Sequence, residues 1–250
     1  MRVMTYNILD NAVGREVLVF EVLQAAQPDI VVLQEVGRAE TVSQWAGALG
    51  MEFRFAAGNS KRHLALLSRL PIVHHHSYHP PPLSATLLEA TLEIAPQQHL
   101  HVYGVHLAAQ PFVLLEMWRW WETKMILRRI RPHMLEPCLL AGDFNALGPG
   151  DPVNIDEWPP RLMRMLVWYG GRVPRWTISE VTAAGFVDCF RSLQSREDGF
   201  TLPTPTPNSR LDYIFVSGML RSWLTDCHVV REPLAVEQAS DHYPLMAEFS

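Results

Sequence analysis

The stretch "LLAGDFNA", residues 139–146, decides the fold more than any other part of the sequence. It continues the apolar run 138–141, which is typical of a buried strand, into Gly142, Asp143 and Asn145. Because Asp, Asn and Gly are common turn residues, the stretch alone is compatible with a simple turn after a strand. Alternation along an extended chain would also place Asp143 and Asn145 on one side, where their oxygens could hold a metal, a water molecule or a phosphate.

Short strand-like runs alternate with longer helical runs along the whole chain. The predicted strands cover residues 2–8, 29–36, 53–56, 63–68, 72–78, 87–94, 99–106, 138–142, 186–190, 212–216, 226–230 and 244–249. The predicted helices cover residues 14–26, 39–49 and 111–131, with a short helix inside 158–176. No repeat or convincing linker divides the chain, so we expect a single catalytic domain over residues 1–250. The alternation predicts an α/β fold of two large sheets with outer helices.

Composition indicates an ordinary globular protein, with 48% hydrophobic and 19% charged residues. The net charge of -5 does not favour general attraction to nucleic acid, so a polyanion would have to be recognised by a local patch.

Three widely spaced cysteines predict buried thiols in a reducing compartment. We find neither a signal peptide nor an apolar run of the ~18 residues that span a bilayer. We therefore expect no transmembrane segment and a cytoplasmic location, although a chain whose leader had been removed would look the same.

Polar side chains of one kind lie at the ends of several predicted strands. They are Asn7, Glu35, His106, Asp143, Asn145, Asp212, Asp241 and His242. Each alone has an ordinary explanation as a solvated, structural or capping residue. Together they are a set of hard oxygen ligands with two histidines, which is what metal-assisted cleavage of a phosphoester requires.

Seven segments occur in the order seen in the endonuclease/exonuclease/phosphatase superfamily, which the chain resembles from residue 4 to residue 249. They are TYNIL, QPDIVVLQEV, LALLSRLPI, VYGVHL, LLAGDFNA, RLDYIFVS and ASDHYPL. The superfamily includes deoxyribonuclease I, apurinic endonucleases, neutral sphingomyelinases, inositol-polyphosphate phosphatases and deadenylases. The resemblance implies a four-layer α/β sandwich, in which two packed mixed β-sheets are flanked by helices, and a metal-dependent phosphoric ester hydrolase.

The resemblance also implies a metal site. Glu35 would be the principal metal carboxylate, with Asn7 beside it and Asp241 as a second carboxylate on the metal side. The implied cofactor is Mg²⁺ or Mn²⁺.

The remaining strand-end residues are implied to act on water and phosphate. Asp143 and Asn145 resemble the pair that orients the attacking water and the phosphate. Asp212 resembles the partner that holds His242, and His106 resembles the histidine that contacts the phosphate and assists the leaving oxygen. The family usually has a threonine before that histidine, whereas this chain has Val105, which leaves open what supports His106.

Residues 158–176 hold four arginines and no acid, which makes them the most distinctive part of the chain. We expect a substrate-binding patch that holds phosphates and stacks a base, or meets a lipid head group. It would consist of Arg161, Arg164, Arg172, Arg175 and Trp168. A surface helix that happens to be basic explains the segment equally well.

Two other groups are expected to be solvated. The basic residues of the long helix, Arg119, Lys124, Arg128, Arg129 and Arg131, predict a face exposed to water, and part of "WRWW" (118–121) is expected to face the core. The histidines at 74–76 could suggest a metal site, but in a strand His75 would point away from His74 and His76, which makes a poor set of three ligands, so we expect these histidines to face solvent.

The leading hypothesis is a metal-dependent phosphodiesterase, a nuclease or a related enzyme, that acts on a phosphate ester such as nucleic acid. A phosphomonoesterase or a sphingomyelinase-like phospholipid phosphodiesterase is the first alternative. A catalytically inactive binding or scaffold protein is the second, although none of the implied site residues is missing. The sequence implies no protein partner.

Overall fold

The computed structural model describes residues 1–58, 63–80, 83, 86–109, 113–168 and 170–250, with the side chains of Glu157 and Met165 excepted. Within this part of the chain there are twelve strands: β1 (Arg2–Asn7), β2 (Ile30–Val36), β3 (Glu52–Ala56), β4 (His63–Ser68), β5 (Ile72–Tyr78), β6 (Leu87–Ala95), β7 (Gln98–His106), β8 (Cys138–Asp143), β9 (Val187–Asp188), β10 (Asp212–Val216), β11 (Leu224–Val229) and β12 (Leu245–Phe249). The same residues form eight helices: α1 (Glu16–Ala26), α2 (Ala39–Leu49), α3 (Val113–Ile130), α4 (Pro160–Trp168), α5 (Trp176–Ala183), α6 (Cys189–Leu193), α7 (Gly218–Arg221) and α8 (Val236–Ala239).

The strands form two six-stranded mixed sheets. The first has the order β11-β12-β1-β2-β4-β3 and the second the order β5-β6-β7-β8-β10-β9. β1 is parallel to β2 and β7 is parallel to β8, while the other neighbours are antiparallel. The predicted fold class is therefore confirmed.

Each sheet is buried on both faces near its centre. In β2, Ile30 and Val32 belong to the core between the two sheets, whereas Val31 and Leu33 pack with apolar residues of α1 and α2. A strand covered on both faces reads as a continuous apolar run, which is why "IVVL" shows no alternation. Apolar residues of α3 and α5 cover the outer face of the second sheet in the same way, and the result is four layers.

Some predicted boundaries were wrong. The strand predicted at 186–190 is reduced to β9, and α6 begins at Cys189, where the Asp188 carboxylate accepts a hydrogen bond from the Arg191 N–H (3.1 Å). A short apolar run does not distinguish a strand from a buried helix. The hydrogen bond from the Arg191 N–H makes Asp188 the N-cap of α6, which stabilises a helix at this point. We predicted one short helix within residues 158–176, but Trp176 also begins a further helix, α5, that we did not predict. The predicted helix start at Pro111 lies outside the described residues.

Other predictions of burial were correct. All three cysteines are buried and free, and His74, His75 and His76 are exposed. No helix among the described residues is long and apolar enough to cross a membrane.

Candidate active site

Strand register brings the polar strand ends together. His106 is paired with Asp143 across β7 and β8, and Asp143 is paired with Asp212 across β8 and β10. Asn7 ends β1 in the other sheet, and its Nδ2 donates to Asp143 Oδ2 at 3.0 Å. The candidate site therefore lies where the two sheets meet, and both sheets position it.

A buried carboxylate–imidazole pair occupies one side of the site. His242 Nδ1 lies 2.8 Å from Asp212 Oδ2, and His242 Nε2 lies 3.9 Å from Asp143 Oδ2 and 4.0 Å from Asp241 Oδ1. Burial opposes protonation of His242, but the charges of Asp212, Asp143 and Asp241 outweigh it and raise the pKa of His242 to about 10. Burial raises the pKa of Asp212 more than the His242 charge lowers it. At neutral pH we place the shared proton on His242, because three carboxylates surround that ring.

Glu35 reaches the site because the end of β2 is irregular. The pairing of β2 with β4 shifts between Gln34 and Val36, and Glu35 has a φ of 61°. A bulge of this kind re-aims a side chain, and a non-glycine residue in the left-handed region costs free energy that is commonly tolerated at functional positions. Glu35 Oε1 lies 3.4 Å from Asn7 Nδ2, and Glu35 Oε2 accepts the Asp10 N–H at 2.9 Å.

Asp143 and Asn145 lie together, although not for the reason that strand alternation suggested. β8 ends at Asp143, and Asn145 has a φ of 48° in a turn. The Asn145 N–H donates to Asp143 Oδ1 (2.9 Å), and Asn145 Nδ2 donates to Asp143 Oδ2 (3.0 Å) and to the Leu107 carbonyl (3.1 Å). The stretch is thus both a turn and the centre of the candidate site.

Gly142 is required by close contact between neighbouring strands. A Cβ at this position would lie 2.0 Å from the Val105 carbonyl oxygen, and the φ of +153° is one that side chains rarely adopt. Glycine here lets β7 and β8 bring His106 and Asp143 into register.

His106 faces two carboxylates. Its Nε2 lies 3.5 Å from Asp143 Oδ2 and 3.8 Å from Glu35 Oε1, and its side chain is almost fully buried. The residue before His106 is Val105, which packs in the core between the second sheet and α3. Unlike the threonine usual in the family, Val105 has no hydroxyl to support the His106 ring. The two carboxylates, rather than a neighbouring threonine, form the polar surroundings of the His106 ring.

The donor set is suited to a hard divalent cation. The site holds four carboxylates, of Glu35, Asp143, Asp212 and Asp241, but one protonated imidazole, that of His242, which leaves an excess of negative charge. Asp241 Oδ1 and Asp212 Oδ1 are buried without a hydrogen-bond partner among the described residues, a state that costs free energy unless something else satisfies the oxygen. Burial, Glu35 and Asp143 also raise the pKa of Asp241, partly offset by the His242 charge. A cation on the oxygens of Glu35, Asp241 and Asn7 would satisfy Asp241 Oδ1 and offset the charges that raise the pKa of Asp241.

Asp143, Asp212 and His242 also converge, with ligand atoms within 4.8 Å of one another. This trio is less suited to a cation, because a ligating imidazole must be neutral and Asp212 is already bonded to it. It is better suited to holding and moving a proton.

A cavity of about 550 Å³ opens beside the site. Glu35, Asp143, Asp241 and His242 lie in its wall together with apolar residues, among them Leu147, Trp158, Leu162, Val173, Pro174, Leu202, Pro203 and Leu211. With a divalent cation on its carboxylates, the acidic end of the cavity could meet a phosphate, and the apolar walls can receive a flat or aliphatic group attached to it.

The residues predicted to bind substrate are dispersed. Arg161 lines the cavity, whereas Arg164 and Arg172 are exposed and Trp168 is 90% exposed. The Arg175 guanidinium donates to the carbonyl of Gly148, in the loop after β8. Of the five residues predicted to bind substrate, Arg161 is therefore the one that the structure places in the wall of the cavity.

The profile of the Endonuclease/Exonuclease/phosphatase family matches residues 4–242, from β1 to the Asp212–His242 pair. The chain belongs to this family. The recognition made from the seven segments is confirmed, and so is the predicted class of enzyme, a hydrolase of phosphoester bonds, at the level of the family. No curated protein matches the sequence.

Several solved structures share the fold over the whole chain. An AP endonuclease from Archaeoglobus fulgidus superposes with a TM-score of 0.78 and 17% identity, covering 100% of this chain and 99% of that one. The 3′-5′ exonuclease NExo from Neisseria meningitidis gives 0.75 and 21%, covering 100% of both chains. Truncated TDP2 from Caenorhabditis elegans gives 0.70 and 18%, covering 100% of this chain and 97% of that one. At these identities the likeness establishes the fold.

Arg119 is the clearest error of the sequence reasoning. It was assigned to a solvated face, yet it is 2% exposed and lines the cavity. Its Nε donates to Glu116 Oε2 (3.0 Å) and its Nη1 to the carbonyl of Ala108 (2.7 Å), two residues after His106. Glu116, three residues earlier on the same helix face, is the signal that could have indicated a buried pair.

A buried network that sequence reasoning missed holds the loop after β8. Arg210 Nη2 lies 2.8 Å from Asp151 Oδ2 and 2.6 Å from Asp188 Oδ2. Asp151 also accepts from the Gly148 N–H (3.1 Å) and the Tyr213 hydroxyl (3.1 Å). The motif "RLDY" contains Arg210, but its partners are distant in sequence and no local pattern indicates them.

Ser240 is a second missed contributor. Its hydroxyl donates to the Asn7 carbonyl (2.6 Å) and accepts from the His242 N–H (3.2 Å). It thereby connects the backbone of one proposed metal residue to the backbone of the proposed base.

Proposed function

We propose that this chain is a metal-dependent phosphodiesterase that cleaves nucleic acid. The observation that carries the proposal is the Asp212–His242 pair, with the free nitrogen of the imidazole turned towards Asp143 and Asp241. The neighbours support nucleic acid as the substrate class, since one is an AP endonuclease, one is a 3′-5′ exonuclease, and NExo is also described as a 3′ phosphatase bound to product DNA hairpin.

The proposed metal is Mg²⁺ or Mn²⁺, held by Glu35 with Asn7 and Asp241. When bound, such an ion supplies Lewis-acid polarisation of a phosphoryl oxygen. Its positive charge would also offset that of the Asp143 and Asp241 carboxylates and so lower the pKa of His242 towards the range in which an imidazole accepts a proton.

The residues of the chain then have distinct proposed roles. His242 takes the proton of the attacking water at Nε2 while Asp212 holds its Nδ1–H. Asp143 accepts a hydrogen bond from that water, and Asn145, fixed by its bonds to Asp143 and the Leu107 carbonyl, orients the phosphate. His106 lies 3.5 Å from Asp143 and assists the leaving oxygen.

The cavity favours a substrate with a flat apolar group next to the phosphate. The base of a nucleotide meets this requirement, and Arg161 in the cavity wall can pair with a neighbouring phosphate. A phospholipid phosphodiesterase is the second candidate, because the apolar walls would also receive the glycerol or acyl part of a lipid. The proposal extends to a single catalytic domain over residues 1–250 in the cytoplasm.

A hydrolysis screen tests this proposal. The purified protein is incubated with single-stranded DNA, duplex DNA, RNA, phospholipid vesicles and a small chromogenic diester, each with Mg²⁺, Mn²⁺ or EDTA. We expect the protein to cleave at least one nucleic acid and the small diester. Both reactions should require Mg²⁺ or Mn²⁺ and should stop in EDTA. Cleavage of phospholipid but not nucleic acid would select the second candidate.

Two variants show whether the candidate site is responsible. Asp143→Asn should lower the activity roughly a hundredfold or more, whereas Asp226→Asn should retain it, because Asp226 belongs to a half-exposed group with His228 on β11. An equal loss in both variants would contradict the assignment of the site. No metal-dependent cleavage of any substrate would contradict the proposed function.

A further inference from the structure

Helix α3 turns apolar side chains towards solvent along its first half. Leu114, Met117, Trp118 and Trp121 are 72%, 50%, 37% and 36% exposed, and the rings of Trp118 and Trp121 are 5.4 Å apart. Their spacing of i, i+3, i+4 and i+7 places them on one face of the helix. We call these four residues the α3 stripe.

The opposite face of α3 buries charge, which fixes the rotation of the helix. Glu116 Oε1 accepts the N–H of Thr177 in the first turn of α5 (2.9 Å), and Glu116 Oε2 pairs with Arg119. Arg119 in turn holds the Ala108 carbonyl beside the candidate active site. Rotating α3 to bury the stripe would break these hydrogen bonds and leave the charges of Glu116 and Arg119 exposed or without their partners. The buried charges therefore fix the outward orientation of the apolar residues.

The exposed face of α3 is also basic. Lys124 and Arg128 continue it towards the end of the helix, while both acids of α3, Glu116 and Glu122, are buried. Glu180 on α5 is the neighbouring acid; it accepts from Trp120 Nε1 (2.8 Å) and lies 3.9 Å from Lys124 Nζ. Glu180 thus offsets the charge of Lys124, and Arg128 is the exposed cation that follows the apolar half of this helix face.

Helix α4 repeats this combination. It contains no acid, and Arg161, Arg164, Val167 and Trp168 are exposed, the last two at 72% and 90%. Residues of α3 and of α4 line the same cavity, so both exposed faces belong to elements that enclose the candidate active site.

A groove between α3 and α5 adjoins the stripe. It encloses about 520 Å³, and Met117, Trp120, Trp176 and Ala183 are among the residues that line it. Its apolar lining can receive an aliphatic chain. It shares Met117 with the stripe, so groove and stripe are continuous.

We propose that the α3 stripe, together with the exposed face of α4, docks on an anionic phospholipid bilayer. Tryptophan rings with aliphatic and cationic neighbours are the composition of surfaces that lie in a membrane interface. Nucleic acid fits less well, because the exposed aliphatic side chains of Leu114, Met117 and Val167 neither stack on bases nor contact phosphates. The inference goes beyond the proposed function and does not depend on which phosphodiester the site cleaves.

Vesicle co-sedimentation tests the docking. The full chain is mixed with vesicles of phosphatidylcholine alone or with phosphatidylserine, and we expect stronger binding to the anionic vesicles that decreases with salt. The double substitution Trp118→Ser/Trp121→Ser should weaken binding roughly tenfold or more, because it removes the largest apolar side chains of the stripe. Arg128→Glu should reduce the preference for anionic vesicles.

The matched control is Trp223→Ser, which removes a tryptophan that is 41% exposed just before β11. It should bind vesicles as the wild type does. Equal weakening in the control and the double variant would overturn the proposal, and so would failure of the wild type to bind anionic vesicles. A stripe-dependent dimer in analytical ultracentrifugation, or stripe-dependent binding of duplex DNA with no vesicle binding, would overturn it in favour of a second copy or nucleic acid.

Hydrolysis of the small soluble diester separates this inference from the proposed function. The stripe variants should hydrolyse it at the wild-type rate, because no stripe residue lies in the wall of the catalytic cavity. A wild type that binds anionic vesicles but hydrolyses nothing would refute the proposed function alone. A wild type that hydrolyses the diester but ignores vesicles would refute the docking alone.

Discussion

Asp212→Asn tests the buried pair on which the proposed proton transfer depends. The substitution keeps the volume of the side chain and an acceptor for His242 Nδ1, which lies 2.8 Å away, but removes the charge. Burial would still oppose protonation of His242, while the strongest of the charges that raise its pKa to about 10 would be gone. We therefore expect the pKa of His242 to fall by more than one unit, towards or below the ordinary value of about 6.5.

The same change gives stability a characteristic dependence on pH. In the wild type the pKa of His242 is higher in the folded than in the unfolded state, so its contribution is fully present below about pH 6.5 and is lost as pH rises to about 10. Removing one partner of a buried pair costs about 3–5 kcal/mol. The free energy of unfolding should therefore differ most between wild type and variant near pH 6 and least near pH 10.

Denaturant unfolding of the metal-free protein in EDTA at several pH values measures the difference, and NMR titration of the imidazole under the same conditions, assigned with His242→Ala, measures the pKa. Asp226→Asn is the matched control, because Asp226 and His228 form a pair that is as close or closer (2.6 Å against 2.8 Å) but half-exposed. A pair exposed to solvent contributes about 0–1 kcal/mol, so this variant should unfold like the wild type. A loss for Asp212→Asn that is the same from pH 6 to pH 10, or an unchanged His242 pKa, would refute the reasoning.

Four further substitutions test other parts of the site. Glu35→Gln should weaken Mn²⁺ binding in calorimetry by at least about tenfold and lower turnover in a way that added Mg²⁺ restores poorly, because it removes the charge that holds the ion. Gly142→Ala should lower the free energy of unfolding by at least about 1–3 kcal/mol in denaturant titrations, since its Cβ would lie 2.0 Å from the Val105 carbonyl oxygen. Arg161→Ala should raise KM for an oligonucleotide several-fold but not for a small diester, whereas Arg175→Ala should mainly lower thermal stability, because its guanidinium is bound to a loop carbonyl. Equal effects of the two arginine substitutions on both substrates would assign Arg161 to the scaffold.

The sequence predicted the two sheets well because their central strands are long apolar runs. The strand-end residues could be singled out by their chemistry and by the family resemblance, whereas the strand register that places Asp143 between His106 and Asp212 is seen only in the structure. The boundary at residue 189 was not predictable in the same way. A side-chain cap at Asp188 decides it, and the apolar pattern around it suits a strand equally well.

Helix α3 shows the other limit of sequence reasoning. Amphipathic patterns assume that apolar residues face inward, yet here Arg119 is buried with Glu116 while Trp118 and Trp121 are exposed. What reverses the pattern is tertiary: the buried charges bind a loop carbonyl and the first turn of α5. The same holds for Asp151, which is distant in sequence from Arg210 and becomes its partner only through the fold.

The most direct test of the central claim is the kcat of Asp143→Asn with a hydrolysed diester at saturating Mn²⁺. Asp143 accepts hydrogen bonds from Asn7 and Asn145 and lies within 4 Å of both histidine rings, so its charge is at the centre of the proposed chemistry. We expect kcat to fall roughly a hundredfold or more with little change in KM, in a variant whose circular dichroism matches the wild type, and EDTA to abolish wild-type turnover. Wild-type turnover by a folded Asp143→Asn variant, or turnover that persists in EDTA, would contradict the account.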